Sequence, residues 1–236
     1  MSSKDYKFLD VNDYNEVFVV GDIHACYTML MNKLKEVGFN FNTDLLVSVG
    51  DLVDRGSENE KVFNLLNQHW FTSIKGNHED FCYKGLMDST VEFYHKMSNN
   101  GGSWFYQLPD DIREAVGRRL NGLPTLLEVD FKGKRFGFVH ADVPVEDWSL
   151  LVEMVINDDK DLHSDRSIIE SCLWNRRVVN FSDYNVADIH RVFLGHTVLP
   201  SIKDVGNCTF LDTGAVFKQK GQPYDLSIVK LSDYIN

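Results

Sequence analysis

Five short segments of the chain carry residue types that bind metal ions and phosphate. They read GDIH at residues 21–24, GDLVDRG at 50–56, GNHE at 76–79, VHAD at 139–142 and GHT at 195–197. Each segment ends an apolar run that is typical of a buried strand. In open α/β sheets, ligands bind in the crevice beyond the carboxyl ends of the strands. The five segments therefore predict one shared site.

Six side chains in these segments are candidate metal ligands: Asp22, His24, Asp51, Asn77, His140 and His196. A mixture of oxygen and imidazole donors suits manganese, iron or zinc, whereas calcium prefers oxygen ligands alone. Six ligands are too many for one catalytic ion that keeps an open position, but they suit two ions that share one carboxylate. Two such ions can clamp a phosphoryl group and activate a bridging water.

Further residues of the same segments fit acid and phosphate chemistry. Arg55 follows Asp54 in a tight turn, where its guanidinium could bind phosphate oxygens bidentately. His78 directly follows Asn77 and could act as a general acid, with Asp54 holding its tautomer. The histidines outside strand-end positions are predicted to be structural or solvated: His69, His95, His163 and His190.

Strands and helices alternate along the first third of the chain. Apolar runs at 16–20, 45–49 and 71–75 predict strands, and the periodicity at 27–37 and 58–68 predicts helices. This alternation implies parallel β-α-β units with right-handed crossovers.

The middle of the chain has a different pattern. Residues 82–120 are mostly helical and are broken by NNGG at 99–102, which predicts a turn or mobile loop. This region is either a helical cap with its own apolar filling or a lid over the substrate. A hairpin is expected at 125–139. Later strands are expected at 191–194, 209–211 and 226–231. We expect one domain, residues 1–236, with two packed layers of sheet or one split sheet, flanked by helices.

Composition excludes several classes of protein. The chain of 236 residues has 35 acidic and 24 basic side chains, a formal net charge of −11. Such a charge argues against binding to nucleic acid or to anionic membranes. No apolar run approaches the length of a membrane span, and the first residues lack a signal core. The four cysteines are far apart, which favours a reducing, cytoplasmic setting.

The ordered set of motifs resembles the calcineurin-like metallophosphoesterases. Within them it is similar to the phosphoprotein phosphatase branch, of the bacteriophage lambda type. The likeness extends to WNR at 174–176 and DTGAVF at 212–217, and covers nearly the whole chain. The resemblance implies an α/β (α+β) fold, a two-layer β-sandwich of mixed sheets flanked by helices, with a helical insertion.

The resemblance also implies a role for each site residue. One ion is expected on Asp22, His24 and Asp51, and the second on Asp51, Asn77, His140 and His196. His78 and Asp54 would form the acid pair, and Arg55 and Arg176 would bind the phosphate. The two divalent ions are expected to be manganese, with iron and zinc as alternatives. Two positions depart from the family pattern, with Ala25 in place of a glycine and Lys75 in place of an arginine.

The expected activity is that of a metal-dependent serine/threonine protein phosphatase. A metal-bridging hydroxide would attack phosphorus directly, and phosphorylated proteins or peptides would be the substrates. The alternative within the same superfamily is a symmetrical dinucleoside tetraphosphate hydrolase. A non-catalytic scaffold protein is the third interpretation, although no expected ligand or acid is missing.

Overall fold

A computed structural model describes residues 4–219 and 221–235 of the chain. The strands of this part are β1 Tyr6–Asp10, β2 Val17–Val20, β3 Leu45–Ser48, β4 Phe71–Ser73, β5 Leu126–Phe131, β6 Lys134–Val139, β7 Arg191–Leu194, β8 Lys203–Val205, β9 Cys208–Phe210 and β10 Ile228–Lys230. Its α-helices are α1 Tyr27–Glu36, α2 Asn59–Phe63, α3 Asn77–Lys84, α4 Ser89–Lys96, α5 Asp110–Asn121, α6 Trp148–Asn157, α7 Ile168–Trp174 and α8 Ala215–Gln219.

The strands form two mixed sheets. The smaller sheet has the order β10-β2-β3-β4, with β2, β3 and β4 parallel and β10 antiparallel to β2. The larger sheet has the order β1-β5-β6-β7-β9-β8. Its β6, β7 and β9 run parallel, whereas the pairs β5–β6 and β8–β9 are antiparallel. The expectation of two layers of mixed sheet with flanking helices is confirmed.

Alternation along the strands builds the layers. Val17 and Val19 of β2 pack in a core between the two sheets, together with Phe138 of β6. Phe18 and Val20 point to the opposite face and pack in a second core beneath α1. This two-residue period is that of a strand buried on both faces. A third core lies between the larger sheet and the helices α6 and α7.

The predicted helical region consists of α3, α4, a short 3-10 helix at Gly102–Gln107, and α5. Its apolar side chains Cys82, Phe105 and Leu120 pack in the same core as α1. The region is therefore built onto the smaller sheet and has no separate apolar filling. Gly101, at the predicted break, has a φ of 78°.

Several elements of the structure were not predicted, namely the helices α6, α7 and α8 and the strands β1 and β8. β1 and β8 were not predicted, because they are the edge strands of the larger sheet and carry few buried side chains. The helix predicted at 58–68 is α2 followed by a 3-10 turn at Asn64–Asn67. The predicted hairpin turn has Lys132 and Gly133 at φ 52° and 74°, as tight hairpin turns require.

Two expectations from composition can be compared with the structure. All four cysteines are buried, and none of them forms a disulfide. In the part of the chain that the structure describes, no helix combines the length and apolar character needed to cross a membrane.

Candidate functional site

The loops that follow the strands have an unusual backbone. Several non-glycine residues in them adopt left-handed conformations, with φ between 44° and 73°: His24, Ala25, Asp51, Asp54, Arg55 and His196. Such conformations cost energy and cluster where a site requires them. The loops after β2 and β3 support each other, since the Asp51 carbonyl accepts N–H bonds from Ile23 (3.1 Å) and His24 (2.9 Å).

A buried glutamate joins two of these loops. Glu79, in the first turn of α3, accepts N–H bonds from Asp51 (2.9 Å), Leu52 (2.8 Å) and Gly76 (2.8 Å). Burial and the neighbouring Asp51 raise the pKa of Glu79 to about 7. The sequence assigned no role to Glu79, although a glutamate at the third helical position is a recognised capping signal.

The first cluster of candidate ligands lies where these loops meet. The side chains of His24, Asp51 and His78 offer three buried ligand atoms close together. His24 Nδ1 donates to the Val53 carbonyl at 3.0 Å, which leaves Nε2 3.5 Å from Asp51 Oδ2. Burial and the nearby guanidinium of Arg55 lower the pKa of His24 to about 3. The imidazole is therefore neutral, which is the form that binds metal.

The second cluster consists of Asp51, His140 and His196, again buried. Asn77 joins it, because its Oδ1 lies 2.9 Å from His140 Nε2 and 2.9 Å from His196 Nδ1. His140 Nδ1 donates to the Val49 carbonyl at 2.8 Å. His196 Nε2 is buried and has no hydrogen-bond partner among the described residues.

Asp51 belongs to both clusters. Its Oδ2 faces His24, and its Oδ1 lies 3.4 Å from His140 Nε2. Burial would raise the pKa of Asp51, but His140 and His78 outweigh it and hold that pKa well below its usual range. The donor set and the carbonyl-anchored imidazoles of His24 and His140 fit a pair of ions that share one carboxylate.

Two more carboxylates lie beside this centre. Asp22 accepts the backbone N–H of His196 at 3.0 Å, and its carboxylate is outside the two tight clusters. Burial, Asp212 and Asp51 raise the pKa of Asp22. Asp212 was not predicted as a site residue. Its Oδ1 accepts the Gly214 N–H at 3.0 Å, and its buried Oδ2 has no partner in the described structure.

The predicted acid pair is in contact. His78 Nδ1 donates to Asp54 Oδ2 at 2.7 Å, and both side chains are fully buried. His78 Nε2 is without a hydrogen-bond partner among the described residues. It lies 3.9 Å from Asp51 Oδ2, so that it faces the candidate metal centre.

Two residues that the sequence did not indicate also bind Asp54. His95 Nε2 donates to Asp54 Oδ2 at 2.7 Å, and Trp104 Nε1 donates to Oδ1 at 2.6 Å. The prediction that His95 is structural or solvated did not anticipate this contact with the site. Its position within α4 carries no strand-end signal, and no other pattern would have found it.

The other three histidines lie away from the crevice. His69 and His163 are exposed. His190 Nε2 donates to the carbonyl of Tyr234 at 2.6 Å.

The structure distinguishes the two adjacent arginines. Arg176 is an exposed residue. Partial desolvation and the repulsion from Arg55 lower the pKa of Arg176, whereas the attraction of Asp51 acts in the opposite direction. Arg177 instead donates to the Pro144 carbonyl at 2.7 Å, away from the site. Asp142 anchors this segment by accepting the N–H of Arg177 at 3.3 Å.

Arg55 is held from two sides. Its Nε donates to the Asn99 carbonyl at 3.1 Å, and Nη1 lies 2.6 Å from His24 Nε2. The predicted NNGG loop therefore contacts Arg55.

The two departures from the family pattern have different surroundings. Ala25 is buried at φ 55°, and its N–H donates to the Leu52 carbonyl at 2.8 Å. Lys75 is buried and forms an ion pair with Asp5 at 3.2 Å. That pair joins the segment after β4 to the segment before β1.

Comparisons with known proteins agree with this architecture. The chain is 33% identical over 215 residues to serine/threonine-protein phosphatase 1 of Salmonella typhimurium, which covers 90% of this chain and 92% of the relative. It is 32% identical over 218 residues to serine/threonine-protein phosphatase 2 of Escherichia coli, which covers 91% of this chain and 94% of the relative.

A likeness of fold extends to more distant structures. A protein serine/threonine phosphatase from Saccharomyces cerevisiae superposes with a TM-score of 0.58 at 16% identity, over 87% of this chain and 70% of that one. The family model described as calcineurin-like phosphoesterase matches residues 16–213. With its sequence, sheets and strand-end clusters in agreement, the chain belongs to the calcineurin-like phosphoesterase family.

Proposed function

We propose that the protein is a metal-dependent phosphatase that hydrolyses phosphoserine and phosphothreonine in proteins. The observation that carries the proposal is the position of Asp51. Its Oδ2 faces the candidate ligand His24 and the candidate acid His78, and its Oδ1 faces the candidate ligand His140. The full-length relatives named serine/threonine-protein phosphatases support the choice of substrate. Residues 1–236 would form one catalytic unit. A cytoplasmic setting would suit four cysteines that form no disulfide.

Two divalent ions would complete the site. Asp22, His24 and Asp51 would hold one ion, and Asp51, Asn77, His140 and His196 the other. Manganese suits this set of imidazole, amide and carboxylate donors, as do iron and zinc. When bound, such a pair polarises the phosphoryl group and supplies an activated water.

The arginines would bind and orient the phosphate. Arg55 and Arg176 are close enough to repel each other, so that an anion between them would relieve their repulsion. One guanidinium group can donate two parallel hydrogen bonds to two oxygens of a phosphate. This local positive charge lets a chain of net charge −11 bind an anionic group.

His78 would deliver the proton that the leaving group needs. The oxygen of a water adds to phosphorus in line as that water gives up a proton, and the bond between phosphorus and the serine or threonine oxygen breaks. The leaving oxygen takes the proton from His78 Nε2, and the proton that the water released returns to the imidazole through solvent. Asp54 orients the ring, since its Oδ2 accepts the Nδ1 proton at 2.7 Å. A positioned acid of this kind contributes about 10²–10⁴ in rate.

A metal-dependence assay over a small substrate panel tests the proposal. The protein is stripped with a chelator and loaded with manganese, iron or zinc. The value of kcat/KM is then measured on phosphoserine, phosphothreonine and phosphotyrosine peptides and on a dinucleoside tetraphosphate. We expect metal-dependent turnover with the highest value on a phosphoserine or phosphothreonine peptide. A preference for the tetraphosphate would overturn the proposed substrate, and metal uptake without turnover would indicate a scaffold protein.

A further inference from the structure

The carboxylate of Asp54 is surrounded by donors from three separate parts of the chain. His78 and His95 both donate to its Oδ2 at 2.7 Å, and Trp104 donates to its Oδ1 at 2.6 Å. A fully buried carboxylate keeps its charge only when such donors replace water. Although burial alone would raise it, the hydrogen bonds from His78 and His95 hold the pKa of Asp54 well below its usual range.

We propose that His95 is a positioning residue that acts on His78 through Asp54. This inference rests on the proposed function, because it assigns His78 the role of the acid. His95 belongs to neither of the two groups of candidate ligands that contain Asp51; the potential ligand atoms close to its own are those of Asp54 and Cys82. Its effect on the reaction therefore passes through the oxygen that it shares with His78.

The shared oxygen explains how His95 would act. With the N–H of His95 on Oδ2, the Asp54 carboxylate is fixed in orientation and part of its charge is neutralised. Without that bond, the Asp54 carboxylate loses one of the three donors that fix its orientation, and only one donor is left on each oxygen. A His78 ring bonded to a less firmly fixed carboxylate is aimed less accurately at the leaving oxygen and is a poorer proton donor. The rate of leaving-group departure is expected to fall.

His95 is itself held rigidly. Its Nδ1 lies 3.0 Å from the Tyr106 hydroxyl, which donates to it when Nε2 carries the proton toward Asp54. The ring stacks on Phe81 with centroids 5.3 Å apart and an interplanar angle of 14°. On the other side, a Cβ atom at Gly102 would lie 2.0 Å from His95 Cδ2. Only glycine at position 102 lets the backbone close against this ring.

The helical region therefore does more than cover the smaller sheet. α4 supplies His95, and the 3-10 helix supplies Trp104 and Tyr106.

If His95 acts through the acid, the rate lost on its removal should depend on the leaving group of the ester. A serine alkoxide needs a proton as it departs, whereas 4-nitrophenolate departs without one. A merely structural role would lower the rate on both kinds of ester equally.

The test compares His95→Phe with the unchanged enzyme, both loaded with manganese. Steady-state kcat and KM are measured on a phosphoserine peptide and on 4-nitrophenyl phosphate. We expect kcat on the peptide to fall by about 10–100-fold, a part of the full contribution of a general acid. KM on the peptide and kcat on 4-nitrophenyl phosphate should stay within about threefold. Metal content, measured by mass spectrometry, should stay at its original value, since no ligand is changed.

A double variant tests whether His95 acts through His78. If it does, His95→Phe added to His78→Asn should cause little further loss, because the acid is already absent. A loss of kcat in the double variant equal to the product of the two single losses would overturn the inference. So would an equal loss of kcat on both esters in His95→Phe, or no loss on the peptide. An unchanged enzyme that turns over no phosphomonoester would instead refute the proposed function.

Two further variants protect the test against misfolding. Tyr106→Phe removes only the hydroxyl that binds His95 Nδ1 and should lower kcat on the peptide by about threefold, again without effect on the aryl ester. If His95→Phe does not fold, Tyr106→Phe decides the question. A kcat on the peptide equal to that of the unchanged enzyme would then overturn the inference. His190→Phe is the matched control, because His190 bonds a carbonyl and packs edge-on against Phe136 far from Asp54. It should change neither rate.

Discussion

The two sides of the crevice are built on different principles. On the metal side, candidate ligands follow β2, β3, β4, β6 and β7, and several adopt left-handed backbone conformations. On the acid side, Asp54 also follows a strand, but its partners come from α3, α4 and a 3-10 helix. The metal side depends on where strands end. The acid side depends on how helices pack around one buried carboxylate.

This difference has a functional meaning. Metal ligands must converge from several strands, and the carboxyl ends of β2 and β3 in the smaller sheet and of β6 and β7 in the larger sheet bring them together. A proton donor needs a fixed tautomer and orientation, which requires hydrogen bonds to be completed from outside the sheet. We therefore expect substitutions on the metal side to change metal content, and substitutions on the acid side to change the rate alone.

Asp51→Asn should have the largest effect, because Asp51 faces both clusters. An amide in its place removes the negative charge between the candidate ion positions. We expect kcat to fall by about 10³ or more and metal content, measured by mass spectrometry, to fall with it. Full metal content in this variant would contradict the shared-carboxylate assignment.

His78→Asn should have a comparable or smaller effect and a different signature. Removal of the proton donor should lower kcat on a phosphoserine peptide by about 10²–10⁴. Metal content should stay near two ions, because His78 is placed on the acid side. Turnover equal to that of the unchanged enzyme would exclude His78 as the acid.

A matched pair of arginine substitutions tests the phosphate site between the two sides. Arg176→Ala should lower kcat/KM by about 10–100-fold, the value of a charge-assisted hydrogen bond. Arg177→Ala should leave kcat/KM within about threefold but lower the melting temperature, since its side chain donates to the Pro144 carbonyl. A loss of kcat/KM in Arg177→Ala but not in Arg176→Ala would assign phosphate binding to Arg177 instead.

Lys75→Arg should have the smallest effect. Lys75 stands where the family pattern has an arginine, and its buried ammonium is paired with Asp5 at 3.2 Å. We expect kcat within about twofold of the original. Lys75→Met should instead lower the free energy of unfolding by about 3 kcal/mol, because it removes one partner of a buried ion pair. Denaturant titration measures that loss.

Much of the fold and of the metal side could be predicted from the sequence. β2 and β3 are almost entirely apolar and β6 ends in an apolar run, so that their positions and the residues after them were evident. β1 and β8 could not be predicted, because edge strands do not need apolar side chains on both faces. The role of each candidate ligand remains a prediction that metal analysis of the variants can test.

The acid side could be predicted only in part. Asp54 and His78 stand in strand-end motifs, but His95 is 41 residues from Asp54 in the sequence and Trp104 is 50 residues away. Their contacts depend on the packing of α4 against α3, and on a glycine at 102 that admits the ring of His95. No local periodicity encodes such a contact.

The Glu79 side chain has a consequence for how the site moves. Its two oxygens accept hydrogen bonds from backbone N–H groups of the loop after β3 and of the start of α3. Because one carboxylate holds both, neither segment can open without breaking bonds in the other. Their amide protons should therefore exchange with deuterium only when the surrounding structure unfolds as a unit. The loops would then have their metal-binding conformation before an ion arrives, and ion binding would require little further ordering of the backbone.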